Sequence, residues 1–486
     1  MTPVLRKPIL MGGLGLTAGT LLLGSLDFSP FHFHFGGIIM WGALALSSGL
    51  WWLKQQSKPA LKPLMPFTPV DRTAAETALA EVEARIGKLA IELNPEQPAE
   101  TAAPVVQLRQ QLAQLTQGLE RRTARLAITG GRSVGKTALT RLLQGESALA
   151  MGKSAAAEPA ESAAAGALDA EVENADLVLF LTAGDLTDSE FQTVKQLIAK
   201  NHRILLLFNK QDQYLPDDRP VVLQRLRDRM QGLLAPEDVL PVMTQPASIK
   251  VRQHQADGTI AERLEQPQPD IAGLQQRAQQ ILTNEAQQLI FATVKRQAQA
   301  LTVVVQTELN QVRRQRALPV IEQYQWIAAG AAFANPVPSL DLLATATINA
   351  QLVVDLGAIY QQQFSVEQAK TVIGNLASQM VKLGLVEMAS QAIAPLLKSH
   401  ALTYMAGGTL QGISAAYLTR LAGLSLVEYF EEQSLNPAQA SSFKLDRLVQ
   451  KLKAVFQENQ RSAFLQSLVQ QGVSRLVPQA ANTATT

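Results

Sequence analysis

The chain has 486 residues and no cysteine, which excludes a disulfide framework, a Cys-ligated zinc or iron–sulfur site, and thiol catalysis. Histidine is scarce. There are five, two of them in one short loop (His32, His34), which leaves little for a His-based metal centre. Charge of one sign is lacking as well: 43 basic and 41 acidic side chains give a net charge of +2. That balance supplies no bulk attraction for nucleic acid, and none is expected as a partner. Charged residues make up only 17% of the chain, against roughly 25% in an average soluble domain. Apolar residues reach 47%. A chain of this length holds roughly two to four domains, and part of the apolar excess is placed as if for a bilayer.

Residues 8–26 and 28–53 carry no charge apart from Asp27 between them, and about 20 apolar residues suffice to cross a hydrocarbon layer. The two stretches flank a loop, Asp27 to Phe35, rich in Phe and His, and read as a transmembrane helical hairpin over 1–56. Arg6 and Lys7 precede it and Lys54, Lys58 and Lys62 follow, so both ends are expected on the cytoplasmic side. Trp51 and Trp52 suit an interfacial belt, and Gly15 and Gly19 suit close helix approach. A secretory signal is the lesser alternative, because no small-residue cleavage site follows.

Pro59, Pro63, Pro66 and Pro69 mark a stiff linker. Leu79, Val82, Ile86, Leu89 and Leu93 then recur at helical spacing, and so do Val105, Leu108, Leu112, Leu115 and Leu119. The segment 57–122 is therefore expected to be a linker and two amphipathic helices, paired with each other or with the domain that follows.

Residues 124–144, ARLAITGGRSVGKTALTRLLQ, carry the strongest signal. Leu126 to Thr129 read as a strand, and Ala138 to Gln144 as a helix. Between them Gly130, Gly131, Arg132, Ser133, Val134, Gly135, Lys136 and Thr137 satisfy G-x-x-x-x-G-K-[ST]. Glycines let the backbone curl so that its N–H groups face phosphate oxygens at the positive end of a helix. Lys136 is expected to reach the β- and γ-phosphates, and the Thr137 hydroxyl to ligate Mg²⁺. Arg132 is expected to face solvent.

Two further apolar runs, Leu177 to Thr182 and Ile204 to Phe208, enclose a helical pattern from Ser189 to Lys200, which indicates parallel strands covered on both faces. Asn209, Lys210, Gln211 and Asp212 follow directly at a strand's carboxyl end, where α/β sheets bind ligands. A carboxylate there can accept from the N1–H and amine of guanine, which adenine does not offer. With the phosphate loop, this NKxD resembles the Era-like small GTPases of the translation-factor-related P-loop class. The resemblance implies that Asn209 tethers the base-binding loop, Lys210 lies along the base and Asp212 selects guanine. A strand over Val239 to Thr244 should then lead to Gln245-Pro246-Ala247-Ser248, a loose match to the fifth motif with Ala247 as backbone donor to the guanine carbonyl.

GTPases of that class carry a switch threonine and a DxxG between the phosphate loop and the next apolar strand. Residues 138–175 contain neither: Thr140 belongs to the helix, and the middle is a low-complexity Ala/Glu/Ser segment. The sheet is expected to be smaller than in Ras-like proteins. No catalytic residue can be assigned. Gly184 to Glu190 is a second acidic segment at the cleft edge, read first as a helix cap formed by Asp188 or Ser189.

From Asp270 onward strand signals vanish. A long helix is expected from about Ile271 to Arg316, broken near Glu285 and ending before Pro319. Residues 323–340 and 399–419 are uncharged but interrupted by prolines or polar residues, which favours buried or interfacial helices over spans. A last helix collects Leu445, Leu448, Leu452, Val455 and Phe456 on one side. With its FANPVPSLDLL turn, this half resembles, over roughly 310–435, the YcjF-type membrane-associated helical domain of unknown function that follows many bacterial GTPase domains.

The expected architecture is an α/β P-loop nucleotide-binding domain with a reduced parallel sheet (123–285), an all-α C-terminal domain (286–486) and the N-terminal transmembrane helical hairpin. The expected function is that of a membrane-anchored guanine-nucleotide-binding protein, a GTPase with degenerate switch motifs using GTP and Mg²⁺. Its partners would be the lipid bilayer and a second copy or activating protein that orients the water. It would sit in a bacterial inner membrane or equivalent, with the nucleotide domain cytoplasmic. The alternatives are a switch or scaffold that binds GTP without efficient hydrolysis, and a structural membrane protein with a vestigial site.

Overall fold

A computed structural model describes residues 66–94, 102–144, 170–254, 260–334, 338–398, 408–435, 443–459 and 462–476. The expected N-terminal hairpin, with Gly15, Gly19 and the two tryptophans read as anchors, the low-complexity middle of 138–175 and the centre of the FANPVPSLDLL segment lie outside them.

Helix α1 (Arg72–Leu93) begins where Asp71 accepts the Ala74 N–H at 2.9 Å. The carboxylate meets an otherwise unpaired first-turn donor and so fixes the start. Helix α2 (Ala103–Gly118) follows. Their stripes pack together and, with Phe291, Val294, Ala298, Leu301, Val305 and Leu309, form one core. The expected choice between self-pairing and packing downstream thus resolves as both. Leu93 is a correction. It is 36% exposed, because its stripe runs past the partner helix at the last turn.

The sheet has four strands in the order β1-β2-β3-β4, all parallel: β1 (Leu126–Gly130), β2 (Leu177–Thr182), β3 (Arg203–Phe208) and β4 (Val239–Pro241). Leu126 pairs with Leu177, which pairs with Arg203, and Leu207 pairs with Leu240. Parallel strands covered on both faces need unbroken apolar runs, and every residue of β2 and β3 is buried. One face carries Leu177, Leu179, Leu181, Leu205 and Leu207 against helix α3 (Lys136–Gln144) and the later helix α7 (Ala272–Asn284). A short helix α4 (Ala170–Glu173) precedes β2. Helices α5 (Asp188–Ala199) and α6 (Asp218–Arg229) connect β2 to β3 and β3 to β4.

Strand β4 is shorter than expected. Pro241 has no N–H for the ladder, and beyond it Met243 turns to exchange two 2.8 Å backbone bonds with Asp270. The cap of α5 is Thr187 rather than Asp188 or Ser189. Its hydroxyl accepts the Glu190 N–H while Glu190 reaches back to the Thr187 N–H at 2.8 Å, a reciprocal capping box. A hairpin of β5 (Ile249–His254) and β6 (Ile260–Glu265) was not expected. It is mostly polar, with Ile249 and Leu264 exposed, so no buried face marked its period.

Helix α8 (Ala286–Ala334) follows a break at Glu285, as expected, but continues through Pro319. Gln315, whose carbonyl loses its usual donor there, is exposed as Pro319 is, so water can satisfy it. Ala317, Ile321, Gln325 and Ala328 are buried on the opposite face and hold the helix to its neighbours. The bundle is completed by α9 (Pro338–Ile359), α10 (Val366–Lys382), α11 (Leu385–Lys398), α12 (Thr409–Leu435), α13 (Leu445–Asn459) and α14 (Ser462–Leu476). In α13, Leu448, Leu452, Val455 and Phe456 are buried, and the helix is followed by α14 rather than being the last. Gly412 allows α12 to approach α8: a β-carbon there would lie 2.9 Å from the Ala329 carbonyl oxygen. Among the described residues no single helix is long and apolar enough to cross a membrane. The pair α10–α11 passes on length and composition together but is bent by 68°.

Candidate functional site

The carboxyl ends of β1, β3 and β4 converge. β1 runs into the phosphate loop, where Gly130 (φ +141°), Ser133 (φ +56°) and Gly135 (φ +100°) bend the chain through left-handed conformations. Gly135 is required by contact as well as by φ. A β-carbon there would lie 2.3 Å from Asn209 Nδ2. Val134 is buried in the core under the sheet, whereas Arg132 is exposed as expected. The following helix starts at Lys136, and Thr137 stands exposed in its first turn. The Lys136 ammonium curls over the loop and donates to the Gly130 and Gly131 carbonyl oxygens at 3.0 and 2.8 Å.

Asn209 is 1% exposed and holds the two halves of the site together. Its Nδ2 donates to the Val134 carbonyl at 2.7 Å and to Thr244 Oγ1 at 2.9 Å, while its Oδ1 accepts the Thr244 N–H at 3.0 Å. The phosphate loop, the end of β3 and the chain after β4 are thus locked by one carboxamide. Lys210 adopts φ +59°, which turns the chain into a short 3₁₀ helix (Gln211–Gln213) that carries Asp212. Gln211 Nε2 donates to the Val242 carbonyl at 3.1 Å and fixes that turn from below.

Asp212 Oδ2 accepts the Ala247 N–H at 3.1 Å. Asp212 Oδ1 is buried with no hydrogen-bond partner. A buried carboxylate oxygen without a donor is costly and marks a place where a donor belongs. The Ala247 N–H, expected to point at a guanine carbonyl, here goes to this carboxylate. Ala247 itself lies on an exposed loop.

Several contributors escaped sequence reading. Thr244, buried, completes the Asn209 lock, and its only signal was its place at the end of the expected fourth strand. Tyr214 packs its ring edge on Phe208 at 5.4 Å and donates to the Ala183 carbonyl at 3.1 Å, bracing the loop after β2. Glu190, the capping-box partner of Thr187, borders the phosphate loop: a β-carbon added at Gly131 would lie 2.3 Å from its Oε1, so the acidic segment after β2 both caps its helix and faces that loop. Arg229 donates to the Leu186 carbonyl at 2.6 Å and to Asp185 and Asp188 at 3.2 Å, tying that segment to α6.

Buried ion pairs brace the sheet below the site. Arg203 meets Asp238 at 2.5 Å, and Arg277 from α7 meets the same carboxylate at 2.9 Å. Arg121 meets Asp176 at 2.6 Å, and the Arg125 N–H also donates to that carboxylate at 2.7 Å. Among the described residues no group of three His, Asp or Glu side chains could hold a metal by itself.

The class that fold and site define is a P-loop-like α/β region with a small parallel sheet, joined to an all-α domain. Within the all-α part, residues 296–461 match the family described as a domain of unknown function, DUF697. That match extends beyond the 310–435 of the expected helical-domain resemblance and does not reach the α/β region. No curated protein matched the chain.

Proposed function

We propose that the chain is a membrane-anchored guanine-nucleotide-binding protein with a degenerate GTPase site. The observation that carries the reading is Asp212: one carboxylate oxygen is held by the Ala247 N–H and the other is buried without a donor. The N1–H and exocyclic amine of guanine supply the donors such an oxygen lacks. Adenine presents an acceptor and an amine in the wrong order. The curled loop from Gly130 to Thr137 supports a phosphate cradle, because left-handed backbone turns N–H groups inward ahead of a helix N-terminus. Nucleotide binding would draw Lys136 from the Gly130 and Gly131 carbonyls toward the β- and γ-phosphates. Magnesium would arrive with the phosphates and take the Thr137 hydroxyl as a ligand, supplying charge neutralisation when bound.

Anchoring is supported by the two uncharged stretches within 8–53, and the basic flanks place the nucleotide site on the cytoplasmic side. Binding without efficient turnover is the second reading, favoured by the lack of a DxxG before β2. If turnover occurs, a second copy or a partner protein would orient the water.

The test is nucleotide binding by the full chain in detergent, with labelled GTP and ATP. Lys136→Ala is expected to lower affinity at least tenfold for both. Asp212→Asn is expected to abolish the preference for GTP while leaving the phosphate contacts. An unchanged preference in Asp212→Asn would refute the base assignment. Phosphate release at saturating GTP then separates turnover from binding.

A further inference from the structure

The helical bundle contains a cavity of about 500 Å³, within the roughly 300–1,000 Å³ typical of ligand pockets. Its floor is formed by α8, α10 and α12, with Ala332, Leu376, Met380 and Ala422 buried there. Its mouth opens between α10 and α12, where Ala377 and Val381 are exposed. Ser414 reaches into it from α12. The residue is 8% exposed, and its hydroxyl is buried with no hydrogen-bond partner.

Two costs therefore meet in one place. A pocket of this size left unfilled forfeits packing contacts that its apolar lining could make. An unpaired buried hydroxyl adds roughly 1–3 kcal/mol. An occupant with an apolar body and a hydrogen-bond acceptor removes both. No lining residue is charged, so an ionised headgroup buried here would find no counter-charge. Most of the wall is Leu, Ile, Met, Val and Ala side chains from α8, α10, α11 and α12, with neutral Asn349, Ser390, Gln411, Ser414 and Thr419 among them, which suits a flexible alkyl chain bearing a neutral polar group. The rim is itself apolar: Val381 is 65% exposed on α10, and α10 and α11 form the bent pair whose combined length and composition match those of a membrane span.

We infer that this cavity binds a neutral long-chain acyl ester, its alkyl chain between α10 and α12 and its ester carbonyl accepting the Ser414 hydroxyl. A bilayer glycerolipid and a soluble monoacylglycerol share that chemistry. A free fatty acid does not, because its carboxylate would be buried unpaired.

The experiment uses the full chain in cholate, a steroid detergent without a long alkyl chain. The probe is a 16-carbon monoacylglycerol carrying a diazirine on its chain. Photolysis is expected to label peptides spanning 373–381 and 410–422. Unlabelled monopalmitoylglycerol should compete at a concentration at least tenfold below palmitate. Phosphatidylcholine supplied in cholate mixed micelles and competing as well as the monoacylglycerol would identify a bilayer glycerolipid as the source, and its failure alone would identify a soluble ester. Ala377→Phe fills the mouth from an exposed position, so the fold is retained and labelling should fall at least tenfold. Ser414→Ala should raise the thermal midpoint of the ligand-free protein, because it deletes an unpaired hydroxyl, and should shrink the ester-induced shift. Labelling that Ala377→Phe leaves unchanged, labelling scattered over exposed helices, or palmitate competing as well as the ester would each overturn the assignment.

Discussion

Asn209→Ala tests the joint on which the site depends. The carboxamide makes three hydrogen bonds of 2.7, 2.9 and 3.0 Å to Val134 and Thr244, at a position 1% exposed. Alanine leaves the Val134 carbonyl and the Thr244 N–H and hydroxyl buried without partners. At about 1 kcal/mol for each bond, with partial relief by water, the local opening free energy should fall by about 2–3 kcal/mol. Because each 1.4 kcal/mol is tenfold, amides in peptides covering 131–137 and 242–248 should exchange with deuterium roughly 30- to 150-fold faster in the full chain. Amides of α13, on the far core, should be unaffected. Asn209→Asp sharpens the test. It keeps an acceptor for the Thr244 N–H but sets an oxygen against the Val134 carbonyl, so exchange should quicken in the phosphate loop more than after β4. Exchange within threefold of wild type in both peptides of Asn209→Ala would refute the reasoning.

Two further outcomes follow from buried charge. Asp238→Ala strands Arg203, left with Glu285 at 3.1 Å, and the partly buried Arg277. Losing one partner of a buried pair should cost about 3 kcal/mol in denaturant unfolding, and a loss under 1 kcal/mol would contradict the bracing role. His202, 2% exposed beside Arg296 and Lys200, is pushed down to about 3 from its ordinary 6.5, chiefly by burial and then by those cations. Above pH 6.5 it is neutral in both states and has no effect. As pH falls from 6.5 toward 3, the unfolded chain takes up a proton that the folded chain refuses. Stability should therefore drop by about 1.4 kcal/mol per pH unit from this group. His202→Leu should remove that part of the slope between pH 6 and 4, and identical slopes in the two proteins would exclude it.

What could be read from the sequence was what depends on local chemistry. The runs Leu177–Thr182 and Arg203–Phe208 are apolar at every position but the last of β2 and the first of β3, because both sheet faces are covered. The turn chemistry of Gly130 and Gly135 is written in residue type. Pro319 misled because its effect depends on which face of α8 meets solvent, a tertiary fact. The cap shifted to Thr187 because a capping box needs Glu190 at the third position, and that pairing outweighs the nearer Asp188 and Ser189. The hairpin β5–β6 gave no signal, since two polar strands bury no face. The Thr244 lock and the unpartnered Asp212 oxygen arise from segments far apart in sequence, and only the folded sheet brings them together.

The proposed pocket would grip phosphates at Gly130–Thr137 and read guanine at Asp212. Titration calorimetry of the full chain with magnesium and either GTP or ATP tests it most directly. Saturable one-to-one binding of GTP and at least tenfold weaker binding of ATP are expected. Absence of heat with GTP, or equal affinity for the two nucleotides, would contradict this reading.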